Sequence, residues 1–144
     1  MPLPAQLAWL TPPNPSLAIR RRRFVLDIGM MGGGMSINGA TMDMNVIDER
    51  VPVGQWEIWE IADVSMMAHP FHIHNVQSQV LDRDGQVPPP VETGFKDTVV
   101  VNPREQIRVL LRFEEHTDPD LPDMFHCHIL EHEDAGMMGQ FVVV

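Results

Sequence analysis

The chain has 144 residues, 44% of them apolar, which is enough for one domain with a real core and excludes a disordered segment. A formal net charge of -10 excludes nucleic acid as a partner, since phosphates need a basic surface. A single cysteine excludes an internal disulfide, no apolar run is long enough to span a bilayer, and Met1 to Ala5 lacks the charged-then-apolar order of a signal peptide.

Residues 1–15, rich in Pro and Leu, read as an extended leader or linker, with the domain proper at 16–144. Ser16 to Ile28 reads as a strand. Its Arg20-Arg21-Arg22-Arg23 run superficially resembles an export signal, but it lies too deep in the chain and leads into a strand, so it reads as a basic exposed edge. Gly29 to Met35 is a methionine-rich loop, either a plain connection or a soft-metal site. Ser36 to Gly39 is a turn, and Met42 to Ile47 a short strand or irregular segment. Gln55 to Ile61 is rich in strand formers. Pro70 to Leu81 reads as a strand or strand pair broken near Asn75, and Asp82 to Gly85 as a hairpin turn. Val87 to Val91 is a proline-rich loop, and Phe95 to Val101 a strand.

In Gln106 to Phe113, Ile107, Val109, Leu111 and Phe113 share one face, with Arg108 and Arg112 on the other. Glu114 to Asp123 is an acidic loop that contains His116, read as a surface residue. Met124 to His128 is a strand end, Ile129 to Asp134 one helical turn, and Gly139 to Val144 a closing strand. Short strands punctuated by Gly and Pro, with almost no helical periodicity, imply an all-β sandwich or barrel in a single domain.

The chemistry lies in Met124 to Met138. Here Cys127 stands between His126 and His128, and His132 and Met137 follow. Thiolate, imidazole and thioether in one short loop are the ligand set of a blue-copper centre, in which two His and one Cys form a plane with a weak axial Met. The missing second histidine can come from His69-Pro70-Phe71-His72-Ile73-His74. A lone cysteine is usually core filler, and zinc rivals copper for any His/Cys cluster. However, six of the seven histidines fall in these two motifs.

Strand alternation points His126 and His128 one way and Cys127 the other, and puts His72 and His74 on one face. His69 stands outside that alternation, before a proline that keeps it extended. Two sites back to back follow. His69, Cys127, His132 and Met137 can close around one copper, and His72, His74, His126 and His128 can face a second metal site.

The two motifs resemble the copper-binding signatures in the C-terminal cupredoxin domain of multicopper oxidases, especially bacterial copper-efflux cuprous oxidases and laccases. Ile37-Asn38-Gly39, Phe95 to Val99 and the Met-Met pair before His69 resemble that group too. The resemblance covers nearly the whole chain. It implies a cupredoxin-like Greek-key sandwich or barrel. It also implies a type 1 copper on His69, Cys127 and His132 with Met137 axial, a type 2 copper on His72, and a type 3 pair on His74, His126 and His128.

In the family, type 1 copper takes electrons singly from a reducing substrate, here a small molecule or Cu(I), and a trinuclear cluster reduces dioxygen to water. Glu133 is then a candidate for proton handling or for orienting a ligand. Family members are periplasmic or extracellular.

Two departures stand out. Ser65 lies four residues before His69, where an acidic or amide partner for that histidine is expected. The family also builds its cluster between domains, so this chain holds half of the histidines and needs an N-terminal cupredoxin domain or a homo-oligomer to complete it. The alternative is a one-copper electron-transfer protein. The acidic loop and Glu131, Glu133 and Asp134 serve either to attract cationic donors or for solubility.

Overall fold

The computed structural model describes residues 8–29 and 34–144, so residues 1–7 of the expected leader and Met30 and Met31 of the methionine-rich loop lie outside the described residues. Among the described residues, ten strands form two sheets. The strands are β1 (Arg20–Ile28), β2 (Met35–Ile37), β3 (Glu49–Val51), β4 (Glu57–Asp63), β5 (His69–Ile73), β6 (Gln79–Arg83), β7 (Thr98–Val101), β8 (Gln106–Leu111), β9 (Asp123–Cys127) and β10 (Met138–Val143). One α-helix, α1 (Leu130–Asp134), follows β9. The first sheet has the order β2-β1-β4-β8-β6 and the second β3-β10-β9-β5-β7. The chain crosses between sheets at most connections, and β1–β4 and β3–β10 pair in parallel. This is the expected all-β sandwich of cupredoxin type. Among the described residues no helix is long and apolar enough to cross a membrane.

Several turns follow from residue chemistry. Asn38 and Gly39 have φ of 55° and 76°, and Asp84 and Gly85 of 49° and 74°. Two successive positive φ values close a two-residue hairpin whose twist suits its strands. Asn38 also does the work of a strand residue: Oδ1 accepts from the Val25 N–H, and Nδ2 donates to the Arg23 carbonyl. The strand expected from Ser16 starts later, because Pro15–Leu17 forms a 3-10 turn capped by Asn14. Met42 to Ile47 is irregular, and the strand comes after it, at Glu49–Val51.

An aromatic cluster fills the space between the sheets. Trp59 lies 4.6 Å from Phe24 and edge-on to Phe125 and Phe141, with centroids 6.1 and 5.9 Å away. The alternation read in Gln106 to Phe113 holds, with Ile107, Val109, Leu111 and Phe113 all buried. The basic-edge reading of Arg20 to Arg23 needs correction. Arg22 shares the parity of Phe24 and Leu26 and is buried. Its guanidinium forks onto Glu57 at 2.6 and 2.9 Å, also pairs with Glu49, and donates to the Arg50 carbonyl. Trp59 Nε1 donates to the same Glu57 at 3.0 Å. The charge is tolerable inside because every partner is in place.

Gly139 on β10 pairs with Phe125 on β9. An ideal Cβ there would lie 2.5 Å from Phe125 Cζ and 2.7 Å from Asp48 Oδ2. Gly139→Ala therefore pushes Phe125 into the aromatic cluster. We expect a loss of about 1–3 kcal/mol, read as a lower urea midpoint at unchanged slope. An unchanged midpoint would show that the cluster yields freely.

Candidate metal centre

β5 and β9 are antiparallel neighbours in a register that pairs Phe71 with Cys127, His72 with His126 and Ile73 with Phe125. Alternation then sorts the side chains. Phe71, Ile73, Phe125 and Cys127 face the core, while His72 and His126 face the opposite side. His69 is the first residue of β5 and has the parity of Phe71, so it belongs to the alternation rather than standing outside it. It is fully buried.

On the core side, Cys127, His132 and Met137 are tied together by the loop itself. The Cys127 N–H donates to the Met137 carbonyl at 3.0 Å, and the Met137 N–H donates to the His132 carbonyl at 2.9 Å. Cys127 Sγ lies 3.5 Å from His132 Nδ1. α1 makes this possible by turning the chain back, and His132 is its one buried residue. Gly136, at φ 88°, ends the helical turn. Its carbonyl takes the Met42 N–H, and a Cβ there would press on Thr41 at 3.3 Å. The ring of His132 lies 5.2 Å from that of His69. Burial pushes the Cys127 thiol up, with an N–H from Ile129 partly opposing it. Burial, then the neighbouring His69, pushes His132 down.

The expected acidic partner of His69 is present at a different position. Asp63, at the end of β4, accepts from His69 Nδ1 at 2.7 Å, and both side chains are fully buried. Asp63 Oδ1 accepts from the Ser65 N–H at 2.7 Å. The Ser65 hydroxyl instead donates to the Met67 carbonyl at 3.1 Å. The signal for Asp63 was in the sequence: it shares the parity of Trp59 and Ile61, and an acid on the core face of a strand requires a partner. His69 Nε2 is left buried with no hydrogen-bond partner among the described residues.

On the opposite side, His72, His74 and His126 bring ligand atoms within 4.8 Å of one another, the one such group of His, Cys, Asp or Glu among the described residues. His74 Nε2 lies 3.1 Å from His126 Nε2. His128 adjoins them, its ring 5.3 Å from that of His126 and 5.6 Å from that of His72. His72 Nδ1 faces the Asp97 carbonyl at 2.9 Å and Thr98 Oγ1 at 3.0 Å, and His126 Nδ1 faces the Cys127 carbonyl at 3.0 Å. A carbonyl only accepts, so each Nδ1 carries a proton. Asp97 and Thr98, which in the sequence are only part of a motif and a strand, hold His72 in place. Burial, then His126 and His72, pushes His74 down. Glu133 Oε2 lies 3.5 Å from His126 Nδ1, and Glu133 is half-buried. His116 lies on the surface with φ 62°.

A family model described as multicopper oxidase matches residues 11–144. The chain belongs to the multicopper oxidase family. It is 43% identical over 117 residues to a multicopper oxidase of Staphylococcus haemolyticus, covering 78% of this chain and 25% of that protein. A laccase of Haloferax volcanii is 48% identical over 103 residues, covering 67% of this chain and 17% of that protein. The fold superposes on a bacterial laccase-like multi-copper oxidase CueO from Ochrobactrum sp. with a TM-score of 0.88 and 37% identity, covering 99% of this chain and 34% of that one. The chain thus spans about a quarter of the length of the first of these relatives.

The multicopper oxidase family implies copper, and the donors of this chain fit it. The Asp63 carboxylate keeps the proton on His69 Nδ1, so the unpartnered Nε2 offers a lone pair inside the core. Two donors on one metal at about 2.0–2.3 Å lie about 3.5 Å apart, the spacing of Cys127 Sγ and His132 Nδ1.

Proposed function

We propose that the chain is the electron-accepting cupredoxin domain of a laccase or cuprous oxidase. His69, Cys127 and His132 would hold a type 1 copper, with Met137 as the weak axial ligand. His72 would hold a type 2 copper, and His74, His126 and His128 would hold type 3 copper. The copper ions, when bound, supply one-electron redox chemistry and the reduction of dioxygen to water.

The carrying observation is the β5–β9 register, which separates the two ligand sets onto opposite faces while Cys127 stays covalently joined to His126 and His128. An electron accepted at the core-side centre thus has a short path through bonds to the other. Glu133 beside His126 would handle protons or hold that imidazole. The second ligand set is half of what the family uses, so an N-terminal cupredoxin domain or further copies of the chain would complete it. An extracytoplasmic location, periplasmic or extracellular, goes with this reading.

A cavity of about 660 Å³ is lined by Asp27, Val64, Ser65, Met66, Met67 and Arg104, so its wall includes the two residues that follow Asp63 in the chain, and it suits a small reducing donor. Met66 and Met67 are exposed there, and soft thioethers suit Cu(I).

Copper content and oxygen uptake with a phenolic donor or Cu(I) test the reading. Oxygen uptake coupled to donor oxidation, with copper well above about one per chain, supports an oxidase. About one copper per chain, blue and without uptake even when a complementary domain is added, leaves a one-copper electron-transfer module. That second reading is favoured by one observation: every core-side ligand comes from this chain. Met137→Leu keeps the fold within about 1.5 kcal/mol, because the volumes match. It should raise the reduction potential by removing the thioether donor, as measured by redox titration of the visible band. An unchanged potential would remove Met137 from the centre.

A further inference from the structure

We infer that the cavity lined by Val64, Ser65 and Arg104 recognises a phenolic carboxylate, and that Arg104 is the residue that selects it over Cu(I) and over uncharged donors. The inference rests on the proposed function in taking this cavity as the place where the reducing donor binds. The charge of that donor and the residue that reads it are separate claims.

The backbone singles out Arg104. The turn from Asn102 to Glu105 is closed by the Glu105 N–H, which donates to the Asn102 carbonyl at 3.0 Å, and Pro103 fills its second position. Arg104 takes the third position with φ 62°, a conformation usually left to glycine or asparagine. Strain held at such a place points to a use for the side chain.

The guanidinium is also uncommitted. Arg22, Arg23, Arg83, Arg108 and Arg112 each pair with a carboxylate, whereas Arg104 has none within ion-pair distance among the described residues. Its neighbour Glu105 is engaged elsewhere, accepting from Arg83 Nη1 and from the Asn102 N–H, both at 2.8 Å. Arg104 instead donates from Nε and Nη2 to Met66 Sδ, at 3.4 and 3.3 Å. A thioether is a weak acceptor, so a carboxylate displaces it and takes both N–H groups in a fork. A cation approaching Met66 meets the guanidinium, which sets the site against Cu(I).

The rest of the wall suits the body of such a donor. Val64, Met66 and Met67 are exposed and line a cavity of about 660 Å³. Thioether sulfur packs favourably against aromatic rings. Asp27 lines the same cavity, and an ionised carboxylate only accepts, so a phenolic hydroxyl can face it while the donor's carboxylate faces Arg104. The net charge of -10 repels anions at long range, so an anion is held only where a free cation offsets that field. The wall also connects to the core. The Ser65 N–H donates to Asp63 Oδ1, and Asp63 Oδ2 accepts from His69 Nδ1, both at 2.7 Å. Loss of one electron and the hydroxyl proton turns the donor into a phenoxyl radical that keeps its carboxylate; the electron goes to the core-side centre and the proton to water.

The test titrates the metal-free full chain with syringate and with its uncharged counterpart syringol, by calorimetry and by NMR of the methionine methyl groups. Syringate should bind about 3–10-fold more tightly at low salt, shift the Met66 and Met67 methyls, and lose its advantage as salt is added. Arg104→Gly should abolish the preference without lowering the urea midpoint, because glycine takes this φ freely. Arg104→Lys should keep part of it, as a charge without the fork. Equal affinity for the two probes, no saturable binding of syringate, or a preference that survives Arg104→Gly overturns the inference. The blue colour of the copper-loaded chain is read separately. A blue centre that syringate and syringol bleach equally fast, in the parent and in Arg104→Gly, overturns this inference alone. A charge preference through Arg104 in a chain that never turns blue with copper overturns the copper reading alone.

Discussion

If Cys127 holds a type 1 copper as proposed, the Cys127→Ser protein is expected to lose the intense visible absorption of the copper-loaded chain completely, and its copper affinity at the core-side centre to fall by more than the roughly 10–100-fold that losing an outer-shell partner costs. Cys127 is the only thiol in the chain, and it is fully buried. The colour of such a centre comes from the thiolate–copper bond, and a serine hydroxyl is a hard, uncharged substitute that cannot form it. Folding is the confounder and is measurable: burying the hydroxyl costs about 1–3 kcal/mol, visible in chemical denaturation of the metal-free protein. Blue colour retained in a folded Cys127→Ser protein would refute a type 1 centre at this residue.

A second large effect is expected at Asp63, and its two variants should differ in kind. Asp63→Ala strands two donors, His69 Nδ1–H and the Ser65 N–H, both of which point at its carboxylate. Each buried unpaired donor costs about 1–3 kcal/mol, so a loss of about 2–5 kcal/mol is expected in the metal-free protein. Asp63→Asn should recover much of that stability by a different route. Its amide oxygen can take the Ser65 N–H, while its NH2 requires an acceptor and draws the lone pair of His69 to Nδ1. The imidazole proton then moves to Nε2, the nitrogen otherwise free inside the core. Asp63→Asn should thus be nearly as stable as the parent yet bind copper poorly, whereas Asp63→Ala loses both. Urea denaturation beside copper titration separates the two. An Asn variant with full copper affinity would show that Asp63 does not set the tautomer.

Much of this arrangement was legible in the residues. The spacing of His126, Cys127 and His128 on a strand end dictates opposite faces, because the period of a strand is two. The same rule gave the buried face of β8, while the turn residues of Ser36 to Gly39 and Asp82 to Gly85 marked the two Gly-containing turns. What was not legible depended on partners distant in the chain. Arg22 is buried because Glu57 and Glu49, on other strands, meet it, and nothing local to four arginines announces that. Asp63 reaches His69 because the Val64–Ala68 segment folds back, so counting a fixed number of residues before His69 landed on Ser65, which bonds within the turn. His69 read as an exception because a proline follows it, yet Pro70 is itself in the ladder opposite Val100.

The β5–β9 register has one more implication. The two candidate centres hang from adjacent residues of one strand, Cys127 and His126, and neighbouring Cα atoms are about 3.8 Å apart by covalent geometry. Should both centres hold copper as proposed, the pleat of a strand would act as the ruler between them. On that reading, a partner on the histidine face could tilt or be exchanged without changing the covalent link between Cys127 and His126.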